Sequence, residues 1–157
     1  MAVWNKLKIT VQTTETENYL YKNSFDVEGG NFNNAGSIST NIKSILKNMG
    51  LPNNVIRKAA ISCYESEINI VSYARQGVIN LTVTPKTVEF DIIDEGPGIP
   101  DIELAMEQGY STADRQIREM GFGAGMGLYN IKSSSDIFNL SSEVDKGTFL
   151  KIIINIP

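Results

Sequence analysis

Hydrophobic positions recur along this chain in two rhythms, and the switches between them mark its elements. From Val3 to Thr13 and from Tyr19 to Val27 the patterning is of β type and stops at Gly29 and Gly30, which predicts two N-terminal strands. The spacing then lengthens. Ile38, Ile42, Ile45, Leu46 and Met49 repeat at three to four residues, the period of an amphipathic helix, with Asn33, Asn34 and Ser37 as candidate N-caps and Gly50 as the stop. After Pro52 a second helical series runs through Val55, Ile56, Ala59, Ala60, Cys63, Tyr64, Ile68 and Val71 and closes near Gly77.

From Val78 the period returns to two. VINLTV and TVEFDIID read as adjacent strands joined by a turn at Pro85 to Thr87, and a short helix, IELAMEQG, follows the turn at Gly96 to Pro100. The stretch from Gly109 to Gly127 is rich in glycine and polar side chains and too long for a plain connector, so it reads as a flap over a ligand. Leu128 to Ser135 reads as a helix. IFNLSSEV and TFLKIIINIP close the chain as a hairpin around Asp145, Lys146 and Gly147, the last strand apolar enough to be central or well covered. Strands in runs argue against a doubly wound parallel sheet. The expected fold class is α/β, an α+β two-layer sandwich with a mixed sheet and helices on one face, forming a single domain over residues 1–157.

Composition narrows the function. The chain is 41% hydrophobic and 20% charged, which is ordinary for a globular protein, and its net charge of -4 is spread without a basic block, so a nucleic-acid partner is not expected. No long apolar run and no basic-then-apolar start occur, so a membrane role is not expected and a cytoplasmic location is. The single cysteine, Cys63, falls within an apolar helical pattern and reads as a buried structural thiol. The chain has no histidine, so no step can use imidazole as base, metal ligand or phosphoacceptor.

Three groups of residues carry candidate chemistry. Glu65 and Asn69 lie four apart on one helix and share a face, where Asn69 can offer its carbonyl oxygen to magnesium and Glu65 can hold or deprotonate a hydroxyl. Glu67 lies about 200° around the helix from Glu65 and reads as a surface charge. Asp94, Gly96 and Gly98 end a strand; the glycines permit close approach to a flat ligand and the aspartate can accept from an exocyclic amine. Gly121, Gly123, Gly125 and Gly127 lead into a helix, where backbone amides bind phosphate oxygens. Lys132, Arg115 and Arg118 are candidates for a γ-phosphate contact. No G-K-[ST] follows the glycines, so this is not a Walker A loop, and no strand precedes them as a dinucleotide fingerprint requires. Each group alone is common in turns and helix edges.

In this order and on these elements, the motifs resemble the Bergerat ATP-binding fold of the GHKL superfamily, which includes gyrase, the heat-shock chaperone, histidine kinases and mismatch-repair ATPases. The resemblance covers about residues 35 to 157 and adds Gly147-Thr148 as the family's late glycine-threonine. It implies ATP and Mg2+ as cofactors, Asp94 on the adenine amine with Thr148 supporting it, Asn69 as magnesium ligand, Glu65 as catalytic base and residues 109–127 as a flexible ATP lid. DEGPGIPDIELAMEQGYSTA is similar to the serine kinases of partner-switching systems, the anti-sigma-factor and stressosome switch kinases, which need no phosphoacceptor histidine. That likeness implies a serine-protein kinase acting on a STAS-domain antagonist or scaffold, with a sigma factor or phosphatase as a further partner and homodimerisation left open. The alternatives it leaves are a non-catalytic ATP/ADP-binding module and a stand-alone ATPase, the latter disfavoured by the lack of a transducer domain after Pro157. Residues 1 to about 30 match less well, and ADRQIREM reads as insertion-like within the flap.

Overall fold

The computed structural model describes residues 18–157. The expected strand from Val3 to Thr13 lies outside these residues. The second opens the structure as β1 (Tyr21–Glu28), followed by a 3-10 turn at Phe32–Asn34, α1 (Ser37–Asn48) and α2 (Asn53–Tyr73). Then come β2 (Gln76–Val83), β3 (Thr87–Asp94), the short helices α3 (Ile102–Ala105) and α4 (Arg115–Glu119), α5 (Gly127–Ser133), β4 (Ile137–Glu143) and β5 (Gly147–Asn155).

The five strands lie in the order β1-β2-β3-β5-β4, and every pairing is antiparallel. The expected sheet was mixed. Among the described residues it is not, because β2, β3 and β5 each return alongside a neighbour of opposite direction and the helical excursion between β3 and β4 delivers the chain to the edge. The nearly all-apolar β5 is central, as its composition implies, flanked by β3 and β4.

Period-two alternation sets the core face. Ile79, Ile92 and Leu150 align across three strands, as do Leu81, Phe90 and Ile152, and Val83, Val88 and Ile154, and all nine are buried. Against them pack Ile42 and Leu46 of α1 and Val55, Ile56, Ala59, Cys63, Ile70 and Val71 of α2. Fully burying a side chain such as Phe90 contributes about 1.5–3 kcal/mol. The opposite face carries a polar row: Ser24 Oγ donates to Asn80 Oδ1 (2.6 Å), Asn80 Nδ2 donates to the Asp91 carbonyl (3.2 Å), and Lys151 Nζ donates to Asp91 Oδ1 (3.2 Å). Helices on one face and hydrogen-bonded polar side chains on the other make the two-layer sandwich.

The ends of α1 show which local signals hold. At its C-terminus Gly50 takes a left-handed φ of 77°, its amide donates to the Lys47 carbonyl (3.0 Å) and the Leu51 amide to that of Leu46 (3.2 Å), a Schellman stop. The N-terminus departs from expectation. Neither Asn33, Asn34 nor Ser37 caps it; the cap position is Gly36, without a side-chain bond of its own. The acceptor is Glu67 of α2, whose Oε1 accepts from the amides of Gly36 (3.0 Å) and Ile38 (3.3 Å) and whose Oε2 accepts from that of Ser39 (3.1 Å). Glu67 is therefore no surface charge: it is 2% exposed and its carboxylate serves the unpaired amides and positive end of a neighbouring helix. Burial, with the Glu67 charge added to it, pushes the Cys63 thiol far above its ordinary value, which keeps that buried sulfur unreactive.

Replacing Glu67 by alanine strands three amides, and the expected cost is about 3 kcal/mol, against roughly half that for Glu67→Gln, which keeps one acceptor oxygen. Denaturant unfolding of the three proteins measures both, and equal midpoints for wild type and Glu67→Ala would refute the capping role.

Candidate functional site

Glu65 and Asn69 sit one turn apart on α2, each about 200° around the helix from Glu67. Glu65 Oε1 accepts a hydrogen bond from Nδ2 of Asn130 in α5 (2.9 Å). Gly127, the first residue of α5, closes against the same pair: a Cβ built there would lie 3.3 Å from Glu65 Oε2 and 3.3 Å from Asn69 Oδ1. A side chain at position 127 would crowd both polar groups, so glycine lets the start of α5 approach them. Two motifs 62 residues apart (Glu65 to Gly127) thus form one wall.

Asp94 ends β3 opposite Thr148 of β5. Its Oδ1 accepts from the amides of Gly96 (2.9 Å) and Thr148 (3.2 Å), while its second oxygen has no hydrogen bond to another described residue. Burial pushes the Asp94 carboxyl above the usual carboxylate range, and the two amide donors hold it partly back. Ser142 locks the surrounding backbone: Oγ accepts from the Ile99 amide (2.8 Å), donates to the Gly147 carbonyl (3.0 Å) and lies 2.9 Å from Thr148 Oγ1, whose proton can complete the set. Gly98, with φ of 74°, presses on this turn, for a Cβ there would meet the Glu143 carbonyl oxygen at 2.2 Å. The structure therefore gives Gly98 a packing reason to be glycine in addition to the expected one.

The segment between Gly109 and Gly127 arches over the site. Its two ends are tied by the Gly109 amide donating to the Gly125 carbonyl (2.9 Å), and ADRQIREM forms α4 within it, capped by Asp114, whose carboxylate accepts from the Ile117 amide (2.9 Å). Phe122 stacks on Phe32, ring centroids 5.4 Å apart, so the glycine-rich end rests on the turn after β1.

Beneath this arch is a cavity of about 610 Å³, within the range of small-molecule sites. Its lining includes Glu65, Asn69, Asp94, Gly96, Gly98, Gly121, Gly123, Gly125, Gly127 and Thr148, so the residues named from the three motifs meet there with Thr148 of the late glycine-threonine, while Gly147 packs against the Asp94 backbone instead. The cation candidates do not. Arg115 and Arg118 line a separate depression with Ala113 and Glu119, and Lys132 is absent from the cavity lining. The charged residues that do line it are acidic: Glu65, Asp94 and Asp101.

Asn130, Ser142 and Ser72 escaped sequence reasoning. An amide inside the apolar run LYNIK was the available signal for Asn130. Ser142 carried none, since a serine in an alternating strand is unremarkable. Ser72 lines the cavity, and its Oγ is buried without a partner among the described residues.

A one-sided antiparallel sandwich, with a glycine-rich arch over a cavity between α2 and the ends of β3 and β5, defines an ATPase-type nucleotide domain. The chain belongs to the histidine kinase-, DNA gyrase B- and HSP90-like ATPase family, whose sequence model matches residues 54–157. It is 32% identical over 117 residues to the serine/threonine-protein kinase RsbT of Bacillus subtilis, covering 71% of this chain and 80% of that one. It is 28% identical over 97 residues to the anti-sigma F factor of Caldanaerobacter subterraneus subsp. tengcongensis, covering 62% of this chain and 60% of the relative. Among solved structures, the mycobacterial sensor histidine kinase MprB superposes with a TM-score of 0.50 at 16% identity, covering 85% of this chain and 98% of that one, a likeness of fold alone. No helix among the described residues is long and apolar enough to cross a membrane.

The buried carboxylate at Asp94 has a consequence for stability. Because its folded value is raised, the group favours the folded state most below the ordinary aspartate value, and that contribution is lost as pH rises through the raised one. Asn at this position keeps the Oδ1 acceptor and removes the charge. Thermal melts of ligand-free Asp94→Asn are expected to exceed wild type above that window and to match it below; a lower melting temperature at neutral pH would count against the burial cost.

Proposed function

We propose that this protein is an ATP-dependent serine-protein kinase of a partner-switching system, phosphorylating a serine on a STAS-domain antagonist or scaffold. The single observation that carries this reading is the meeting of Glu65, Asn69 and Gly127 on one wall of the cavity whose far end is Asp94. Similarity to RsbT and to anti-sigma F factors, both named for regulation through proteins, supports a protein as acceptor.

The residues fit the nucleotide and metal this requires. Asp94 has an uncommitted carboxylate oxygen for an exocyclic amine, and Ser72 Oγ is a buried hydroxyl in want of a partner. Gly123, Gly125 and Gly127 offer backbone amides at and ahead of the start of α5, where a Cβ at Gly127 would intrude, whereas the Gly121 amide is already bonded to the Arg118 carbonyl (3.0 Å). The described residues contain no cluster of three or more acidic, cysteine or histidine ligands, and a magnesium ion shared between one protein oxygen, phosphates and water needs none. Asn69 Oδ1 is the oxygen for it.

ATP would supply the phosphoryl group and Mg2+ the charge neutralisation. The chain's own contribution is positioning: the adenine end is held at Asp94, the phosphates at the glycine amides, and water is kept out by the 109–127 segment acting as a lid. Glu65, as the base, orients the incoming serine hydroxyl and takes its proton. With no lysine or arginine among the described lining residues, nucleotide binding is expected to depend steeply on magnesium.

Incubation with radiolabelled ATP and a STAS-domain acceptor tests the whole reading. Wild type is expected to transfer label, and Glu65→Gln to bind nucleotide within about twofold of wild type while losing transfer by at least about 100-fold. Asp94→Asn is expected to weaken ATP binding about tenfold or more. Binding without transfer by wild type would instead mark a non-catalytic ATP/ADP-sensing module, and undiminished transfer by Glu65→Gln would remove Glu65 from the base role.

A further inference from the structure

We propose that Asn130 is a positioning residue for this transfer, holding Glu65 in the orientation from which it meets the acceptor hydroxyl; the inference rests on the kinase reading above. An ionised carboxylate is acceptor-only, so the amide of Asn130 can meet Glu65 only through its NH2 group, and the 2.9 Å contact to Oε1 fixes which way that amide faces. The bond claims one oxygen of Glu65 and leaves Oε2 uncommitted. Oε2 is the Glu65 oxygen nearest Gly127 at the start of α5, where a Cβ would approach it and Asn69 Oδ1 alike at 3.3 Å. The free oxygen of the base therefore flanks Gly127 together with Asn69 Oδ1, the oxygen that would hold magnesium, and it is the one left to accept the proton of an incoming hydroxyl.

The position of Asn130 in the chain gives the contact a second consequence. It stands in the first turn of α5, its amide donating to the Met126 carbonyl (2.8 Å), immediately after the glycine-rich segment. Its neighbour Ile131 is fully buried in the core, and Tyr129 on the other side is 39% exposed. Anchored through Ile131 yet continuous with the segment that closes over the cavity, Asn130 sets the base by reference to the arch as well as to α2. A long glutamate side chain otherwise samples several rotamers, and the bond to Asn130 selects among them.

The test compares wild type, Asn130→Ala and Asn130→Asp for kcat and for KM with ATP in transfer to a STAS-domain acceptor, alongside affinity for a fluorescent ATP analogue and the melting temperature. Asn130→Ala is expected to lower kcat about tenfold with KM and nucleotide affinity within about twofold, the signature of a misplaced reacting group. Asn130→Asp is nearly isosteric but lacks the donor and sets a carboxylate against Glu65, and a loss of about 100-fold in kcat is expected; it carries the test if the alanine variant does not fold. A role confined to packing α5 on α2 predicts a lower melting temperature with kcat unchanged, and that result overturns the inference. Failure of wild type to transfer overturns the kinase reading and this inference with it, whereas transfer by wild type and both variants at equal kcat overturns the inference alone.

Discussion

A single carboxylate determines how the helical layer is assembled. Glu67 accepts from three amides at the start of α1, and in doing so it docks that helix end against the middle of α2. Left unpaired at 2% exposure, the charge would be prohibitively costly, and the unpaired amides would be costly as well; together they offset one another. Two residues along a helix are separated by about 200°. With Glu67 committed to α1, Glu65 is turned to the opposite side, toward α5 and the cavity. The same geometry that caps one helix therefore aims the candidate base.

A second constraint fixes the far end of the cavity. Asp94 and Thr148 stand opposite one another across the β3–β5 pairing, and a Cβ at Gly147 would lie 2.0 Å from the Asp94 carbonyl oxygen, so this approach tolerates only glycine. Ser142 ties the β4–β5 turn to the loop after Gly98. The buried carboxylate of Asp94 is held by two backbone amides at one oxygen, while the other has no hydrogen bond to another described residue.

Much of this was legible in the residues themselves. Period-two alternation located β2 and β3, the apolar run of TFLKIIINIP located β5, three-to-four periodicity located α1 and α2, and Gly50 marked the end of α1, because each signal is written within a few residues of the element it describes. The site motifs were legible for the same reason: Glu65 and Asn69 share a face on any helix, and the glycines of 121–127 supply amides wherever the following helix begins. The misses are all long-range. Glu67 passed for a surface charge because the amides it caps begin 31 residues earlier, and α1's N-cap was sought among its own neighbours. Arg115 and Arg118 were near the glycines in sequence but are engaged elsewhere, Arg115 with Glu119 and both in a depression separate from the cavity. The sheet direction was misjudged because hydrophobic alternation is the same in parallel and antiparallel strands when one face is solvated.

Local periodicity and motif spacing are enough to give the elements, the family and the inventory of groups available for chemistry. Which of those groups meet is settled by long-range packing. It brought Gly127 against Glu65 and Asn69, set Asp94 beneath Thr148, gave Glu67 to α1 and Asn130 to Glu65, and kept the cations out of the cavity lining. Hydrogen bonds and close approaches of this kind act over about 3 Å between residues tens of positions apart, and no local pattern encodes a partner at that separation.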